Sequence, residues 1–433
     1  MTKLVCSIQT IATLRIGICG CAWRATAKAT AKKNIWPSIA DIDAKKYLAA
    51  GAIKKLEKML SNYIDGQVRS KLKKTHPTIL HHKHSMDDGH VSQQIMSVEG
   101  YRGLIMIDKT KELRKNSPHK TVLFLKAIKA KPSLLKKSRV VGVHIHHGSL
   151  ATKYRFFKTK YKTPLFVSFR GNDATAYPKK KKNLKRLKRL FQTADLFFPV
   201  CNHLKQKIME LGCPESKIRV LYGGLDLERF EYRTRKFDPN KGIRFLAIGR
   251  FVEKKGFVDL IHAFAEVKKY YSNIKLTLIG RGPLESEYKE LIKKYNLTKN
   301  VEMVSWVNYK TIQEHYYNAH IFCAPSCTDK NGNQEGIPNT LKEAMATGMP
   351  VVSTTHAGIP ELVQDKVSGL LVPENSITRL TDAMLWLVGH PERWEDFGIN
   401  ARERISTDFN LKIQLQKQKE FYEEILKKKK KKN

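Results

Sequence analysis

The chain has 433 residues, 41% of them apolar, with 80 Lys and Arg against 40 Asp and Glu. That is enough for two domains with full cores, and the seven cysteines, odd in number and scattered, argue against a disulfide framework. The net charge of +40 favours anionic partners: nucleotides, phosphates, acidic lipid surfaces or nucleic acid. Setting aside the eight Lys and Arg of 179–189 and the six lysines of 427–432 still leaves an excess of 26, so the charge is not confined to tails.

No run of 18 apolar residues occurs, which predicts no transmembrane helix. Leu4–Leu14 is a weak apolar run, ended by Arg15 and diluted by Ser7, Gln9 and Thr10. It reads as part of a first strand and loop, with Thr13–Cys19 as the strand. No acidic residue precedes Asp41, so a signal-like or transit-peptide reading stays open. Residues 24–90 are basic and helix-prone in patches, and the histidines at 81, 82 and 84 read as a solvated surface run rather than a metal set.

Order becomes legible at Arg139–His146, RVVGVHIH, an apolar strand ending in histidines. A helical stretch comes next over 150–161, then a strand over 164–169 that ends in Arg170-Gly171-Asn172-Asp173. Lys179–Arg189, KKKKNLKRLKR, carries Leu184 and Leu187 at helical spacing with the following Leu190 and Phe191. It reads either as a domain helix with a solvated basic side or as a basic amphipathic helix that docks on anionic lipid. A strand over 196–200, a helix over 205–211 and a strand over 219–224 come after it, and the charged stretch 231–241 is a linker.

Beyond the linker, strands at 243–249, 274–279, 301–307, 320–325, 351–354 and 369–372 alternate with helices at 257–271, 284–295, 309–318, 338–347 and 376–389. Such alternation predicts a parallel sheet covered on both faces, with ligands beyond the carboxyl ends of its strands. Residues 391–426 read as helical. Cys323 and Cys327 have no second Cys/His pair at zinc spacing and read as buried thiols.

The chemistry concentrates at 334–354, QEGIPNTLKEAMATGMPVVST. Pro338 is preset for the first turn of a helix. Leu341, Ala344 and Met345 mark its packed face, and Gly348 suits its left-handed end. Glu335 then sits on the loop before the helix and Glu343 on its second turn, with the free N–H groups around 336–340 between them. This is an anion site with a carboxylate at each end, a shape that suits a nucleotide sugar. Upstream, Gly249-Arg250-Phe251-Val252-Glu253-Lys254-Lys255-Gly256 leaves a strand end with Arg250 and Lys255, two cations that suit a diphosphate. Gly280-Arg281-Gly282-Pro283 is compatible with a tight turn and with close backbone approach to a ligand. Trp306 is compatible with a core position and with a wall of a base pocket.

The phrase EGIPNTLKEAMATGMPVVS resembles the E-x(7)-E signature of retaining glycosyltransferases of family 4, and HAGIPEL over 356–362 and GLLVP over 369–373 are similar to that family's next two phrases. RVVGVHIH resembles the family's I-H-x-H-x-G strand end, GGLDLERF over 223–230 its N-G-V-D-x-x-x-F phrase, and GRFVEKKG its G-R-x(4)-K-G phrase. The likeness covers about residues 139–426, and the EGIP phrase looks most like the branch that builds surface polysaccharides. Three departures stand out. Residues 1–100 show no convincing version of the family's Gly-rich loop. Cys201-Asn202 replaces Val-Ser. Arg170 stands where a T-x-H-G-x-D pattern commonly has histidine, and an arginine cannot act as a base.

The resemblance implies the α/β GT-B architecture, two Rossmann-like domains facing a cleft: an acceptor-side domain at 1–235, a nucleotide-sugar domain at 236–405, and a crossing helix with a poly-Lys tail at 406–433. It implies that Arg250 and Lys255 hold the donor diphosphate with the helix start at Gly336, Ile337, Pro338 and Asn339. Glu335 would position the donor sugar hydroxyls and Glu343 the ribose. Gly280, Gly282, Trp306 and Val307 would line the nucleotide pocket, while His146, Arg170 and Asp173 would lie on the acceptor side. The expectation is a retaining hexosyltransferase that needs no metal and no cofactor beyond its nucleotide-sugar co-substrate. No D-x-D motif is evident, and two cations with a helix dipole would take the metal's place. The acceptor is expected to be a glycan or a lipid-linked glycan, and the location cytoplasmic, with peripheral contact to an anionic membrane. Alternative readings are a degenerate or inactive GT-B protein, a nucleotide-sugar epimerase, and a basic nucleic-acid-binding protein.

Overall fold

A computed structural model of the protein describes residues 77–82, 98–107, 122–124, 135, 139–305, 307–308 and 311–430. The expected strand at Thr13–Cys19, the apolar run at Leu4–Leu14, His84 and Trp306 lie outside the described residues.

Two six-stranded sheets organise the chain, and all their pairings are parallel. The first contains β1 (Thr78–His82), β2 (Arg102–Ile107), β3 (Val122–Phe124), β4 (Val140–Ile145), β5 (Leu165–Phe169) and β6 (Leu196–Pro199) in the order β3-β2-β1-β4-β5-β6. The second contains β7 (Ile243–Ile248), β8 (Ile274–Ile279), β9 (Val301–Val304), β10 (Ile321–Ala324), β11 (Val351–Thr354) and β12 (Leu370–Val372) in the order β12-β11-β10-β7-β8-β9. Both are doubly wound, so strand order reverses between β1 and β4 and between β7 and β10. The crevice beyond the carboxyl ends of such a pair is where open α/β sheets bind ligands.

The helices are α1 (Gly148–Ala151), α2 (Phe156–Thr159), α3 (Lys181–Thr193), α4 (Asn202–Glu210), α5 (Phe257–Tyr270), α6 (Glu285–Lys294), α7 (Ile312–Tyr317), α8 (Asn339–Ala346), α9 (Ile359–Leu362), α10 (Ile377–Gly389), α11 (Trp394–Asp408) and α12 (Leu411–Lys430). Buried side chains of α5 and α10, including Phe264, Met384 and Leu387, cover one face of the second sheet, and Leu341, Ala344 and Met345 of α8 cover the other. In the first domain, Leu187, Leu190 and Phe191 of α3 pack on Val143, Leu165 and Phe197.

Two crossings join the domains. The Leu225 N–H donates to Phe409 O at 2.7 Å and the Leu411 N–H to Leu225 O at 2.9 Å, so the crossings pair side by side. Beyond the second crossing, α12 lays Tyr422 on Ile79, Phe166, Leu196 and Phe198 of the first sheet.

Three sequence expectations differ from the structure, the first being the helical stretch at 150–161, which is the two short helices α1 and α2 with a turn between them. The first sheet has three strands upstream of residue 139 that the sequence pattern does not reveal. Residues 219–224 form no strand; this stretch runs beside β6 with only the Arg219 and Leu221 N–H groups bonded to Phe197 O and Pro199 O.

Candidate active site

The β7/β10 reversal point brings two loops together. The β7 loop carries Arg250, Lys254 and Lys255, and the β10 loop carries Gln334 and Glu335. Lys254 Nζ lies 3.1 Å and Lys255 Nζ 3.0 Å from Glu335 Oε1. Burial pushes the Glu335 carboxyl up, but the two ammonium groups outweigh it and hold the pKa down at about 2. Burial lowers the pKa of Lys254, with Glu335 opposing. Arg250 is exposed at the end of β7. Lys254 was not among the expected site residues. Adjacent lysines look alike in sequence, and only the packing shows that the Lys254 side chain is 8% exposed and the Lys255 side chain 15%.

A second group of side chains fixes the loop that bears Glu335. The parallel register of β11 and β12 pairs Thr354 with Val372, so His356 and Glu374, each two residues further on, emerge as neighbours. His356 Nδ1 lies 2.7 Å from Glu374 Oε1, and the Glu335 N–H donates to His356 Nε2 at 3.0 Å. Gln334 is held by its N–H on Thr175 Oγ1 at 3.2 Å, its side-chain amide on Thr328 Oγ1 at 3.1 Å, and its Oε1 on His203 Nε2 at 2.9 Å. Thr175 and His203 belong to the first domain, so this loop spans the cleft.

Helix α8 begins one residue later than expected: Pro338 is the extended residue that precedes it, and Asn339, exposed, opens it. Gly336 lies on the seam between the domains, where an added Cβ would stand 2.6 Å from Val200 Cγ2 and 3.0 Å from Arg170 O. Ile337 packs against the cores of both domains. Glu343 is buried and accepts a hydrogen bond from the Tyr316 hydroxyl at 2.6 Å. Beside it Lys342, which the sequence pattern also does not single out, donates to Gly223 O at 2.5 Å. Burial pushes the Lys342 ammonium down to about 7, with Glu343 opposing and Arg170 adding to the fall.

At the end of β8, a Cβ on Gly280 would stand 1.8 Å from Gly249 O and one on Gly282 2.3 Å from Phe251 O. These glycines therefore allow the β7 and β8 loops of this chain to touch, whatever else they line. Val307 is half-buried against the core under α8.

The β1/β4 reversal point faces this site with His81, His144 and His146, all buried. The expected solvated run is thus corrected at His81: its Nδ1 lies 2.9 Å from His146 Nε2. His144 bonds the Tyr422 hydroxyl at 2.6 Å and Ser168 Oγ at 2.8 Å, which ties α12 to the sheet. Burial, with His81 and Arg170 adding, pushes His144 well below the ordinary histidine range. One ring nitrogen from each histidine lies within 4.8 Å of the others, but both nitrogens of His144 are engaged and Arg170 borders the group. It reads as a hydrogen-bonded cluster.

Arg170 donates from Nε to His146 O at 3.1 Å, and its Nη2 lies 3.4 Å from His146 Nδ1. Burial lowers its pKa to about 10, opposed by Asp173, and it stays cationic at neutral pH. Asp173, expected on the acceptor side, holds backbone N–H groups. Fully buried, its carboxylate accepts the N–H groups of Gly148 at 2.7 Å, Arg170 at 2.9 Å and Gly171 at 3.0 Å, which organises two loops.

Two doubly wound domains, with cations, a carboxylate and a helix start at the reversal point of the second, define a glycosyltransferase of the GT-B architecture. The family model described as Glycosyltransferase Family 4 matches residues 99–229, and that described as Glycosyl transferases group 1 matches residues 228–404. The amylovoran biosynthesis glycosyltransferase AmsK of Erwinia amylovora is 34% identical over 278 residues, which is 64% of this chain and 68% of AmsK. WcaL of Salmonella typhimurium, named for colanic acid biosynthesis, is 36% identical over 223 residues, 51% of this chain and 54% of WcaL. The fold matches Anabaena HepE, solved with UDP, at a TM-score of 0.68 and 15% identity, over 81% of this chain and all of HepE. The chain belongs to glycosyltransferase family 4. Neither the fold nor these comparisons support the nucleic-acid-binding or degenerate readings.

Proposed function

We propose that the chain moves a sugar from a nucleotide-sugar donor to a glycan or lipid-linked acceptor in surface polysaccharide synthesis. Transfer would retain anomeric configuration and need no metal ion. The observation that carries this reading is the contact of Glu335 with Lys254 and Lys255 at the β7/β10 reversal point. The names of AmsK and WcaL support the polysaccharide context.

Charge develops on the diphosphate as the bond from the sugar C1 to its oxygen breaks, through an oxocarbenium-like transition state. Arg250, Lys255 and the start of α8 stabilise that charge, and groups preplaced at a developing charge commonly supply the largest catalytic contribution. Lys254, buried and paired with Glu335, holds the carboxylate in register. Glu335, kept ionised, positions the donor sugar hydroxyls, and Glu343 the ribose. The acceptor hydroxyl attacks C1 from the face the diphosphate leaves, and its proton passes to the departing diphosphate oxygen. Closure of the domains around Gly336 excludes water that would hydrolyse the donor.

Among the described residues, no helix is long and apolar enough to cross a membrane. We place the protein at the cytoplasmic side, peripheral to an anionic membrane through the basic face of α3. The test is thermal shift with a panel of UDP-, GDP- and CMP-sugars, followed by transfer assays with the donors that stabilise the protein. Stabilisation by no nucleotide sugar would overturn the reading.

A further inference from the structure

We propose that His356, held by Glu374, is a positioning residue for Glu335, and that a proton on its Nε2 unseats the Glu335 loop. The proposal rests on the reading of Glu335 as a donor-contacting carboxylate.

The geometry admits one proton arrangement. Glu374 Oε2 accepts the Thr328 N–H at 2.7 Å, so the carboxylate is itself fixed. Its Oε1 can only accept, so the hydrogen between it and His356 lies on Nδ1. On the other side, the Glu335 N–H can only donate, so Nε2 carries a lone pair. His356 is therefore neutral, in the Nδ1–H tautomer, and fully buried. The chain Thr328, Glu374, His356, Glu335 reaches from the far end of the β10 loop back to its functional end. It fixes the backbone from which the Glu335 side chain meets Lys254 and Lys255.

A second proton would convert Nε2 from acceptor to donor. Two N–H groups would then face each other across 3.0 Å in a site closed to water. The charged and titratable groups that face the ring are Glu374 beyond β12, Glu335 before α8, and His203 on α4. Glu335 is further coupled to Lys254 and Lys255, and Glu361 on α9 is engaged with Asn202 and His203. Burial lowers the ring's pKa below the ordinary histidine value, against the pull of both carboxylates, while His203 adds to the fall. The resting state at neutral pH is thus the seated one.

Two substitutions separate the two ends of the ring. In His356→Asn the amide can meet Glu374 but falls short of Glu335. In His356→Gln an amide oxygen can reach the Glu335 N–H and does not titrate. With UDP-glucose and GDP-mannose as donor probes, His356→Asn is expected to lower kcat roughly 10- to 100-fold with little change in KM, as for small misplacements of a reacting group. Because the ring titrates below the ordinary histidine range, the wild-type rate is expected to hold near neutral pH and to fall in more acidic solution, and His356→Gln to remain level there. A binding-independent readout is the 15N spectrum of the labelled imidazole beside the Glu335 amide resonance. Nδ1–H is expected, with the amide moving as the ring titrates, and Glu374→Gln is expected to shift that titration to lower pH. An Nε2–H tautomer, a Glu335 amide unmoved by the ring's titration, or an unchanged acid limb in His356→Gln would overturn the proposal. Amide and ring titrating together in a protein that turns over no donor would sustain the positioning and defeat the transferase role of Glu335.

Discussion

Glu361 and Asn202 lie 159 residues apart in the chain, and the Glu361 carboxylate accepts both the backbone N–H of Asn202 at 2.8 Å and its side-chain amide at 2.9 Å. The other oxygen accepts the His203 N–H at 2.9 Å. A carboxylate of the second domain thus caps the first turn of α4 in the first domain, where the helix leaves N–H groups free. The Tyr222 hydroxyl donates to the same carboxylate at 3.0 Å, and burial together with that charge raises its pKa and keeps it protonated.

Glu361→Ala is expected to lower unfolding free energy by about 1–2 kcal/mol, the usual cost of losing a helix cap. Because the cap comes from across the cleft, donor KM is expected to rise more than kcat falls. Urea unfolding and steady-state kinetics check the two parts, and a variant with unchanged midpoint and KM would show that the contact contributes nothing.

Glu335→Gln is expected to reduce transfer about 100-fold, as for a displaced reacting group. It also leaves Lys254 and Lys255 facing each other without their carboxylate. The two lysines outweigh burial and bring the folded Glu335 carboxyl to about 2, below its unfolded value of about 4.3. Its stabilisation is therefore complete above about pH 4.3 and lost as pH falls toward 2. The difference amounts to roughly 3 kcal/mol. Wild type should lose stability across that window more steeply than Glu335→Gln, as read by urea unfolding at several pH values.

The second domain is legible in the sequence because its strands are buried on both faces and read as short apolar runs between helices. The half of the first sheet upstream of residue 139 is not, because β1 spends its polar residues inward. His81 looks like a surface histidine until His146, brought in by the β1/β4 register, partners it. β3 is three residues long and carries too little pattern to find. The candidate site divides the same way. Arg250, Lys255, Glu335 and Glu343 lie in continuous phrases. The His356–Glu374 pair depends on the register of two strands, and Lys254 differs from Lys255 only by burial.

Arg250→Ala and Lys255→Ala are each expected to lower kcat/KM by about 2–4 kcal/mol of transition-state stabilisation, or roughly 30- to 1000-fold. Lys254→Ala should differ in kind. It removes a buried partner that holds Glu335 in register, so it is expected to lower stability as well as the rate. Activity is also expected to persist in excess chelator, because the proposed mechanism has fixed cations meet the diphosphate. Activity abolished by chelator and restored by a divalent ion would count against that assignment.

Leu187, Leu190 and Phe191 of α3 are spent in the core of the first domain, so this helix has no apolar face to insert into lipid. Its outer side is basic: Lys181, Lys182, Lys185, Arg186, Lys188 and Arg189 are all exposed, as are Lys179 and Lys180 just before it. Docking would then be electrostatic alone. Each basic residue near an anionic surface contributes about 1 kcal/mol, and the attraction falls off within a Debye length. A surface without insertion should release its membrane as salt rises, more completely than an amphipathic helix that also buries apolar area. Co-sedimentation is therefore expected with vesicles containing phosphatidylserine at low salt, to be lost at high salt, and to be absent with phosphatidylcholine alone. Changing Lys179–Lys182 to Ser should weaken it without altering the melting temperature, because these side chains are outside the core. Equal pelleting of that variant, or preference for duplex DNA over anionic vesicles in competition, would show that the basic face serves another partner.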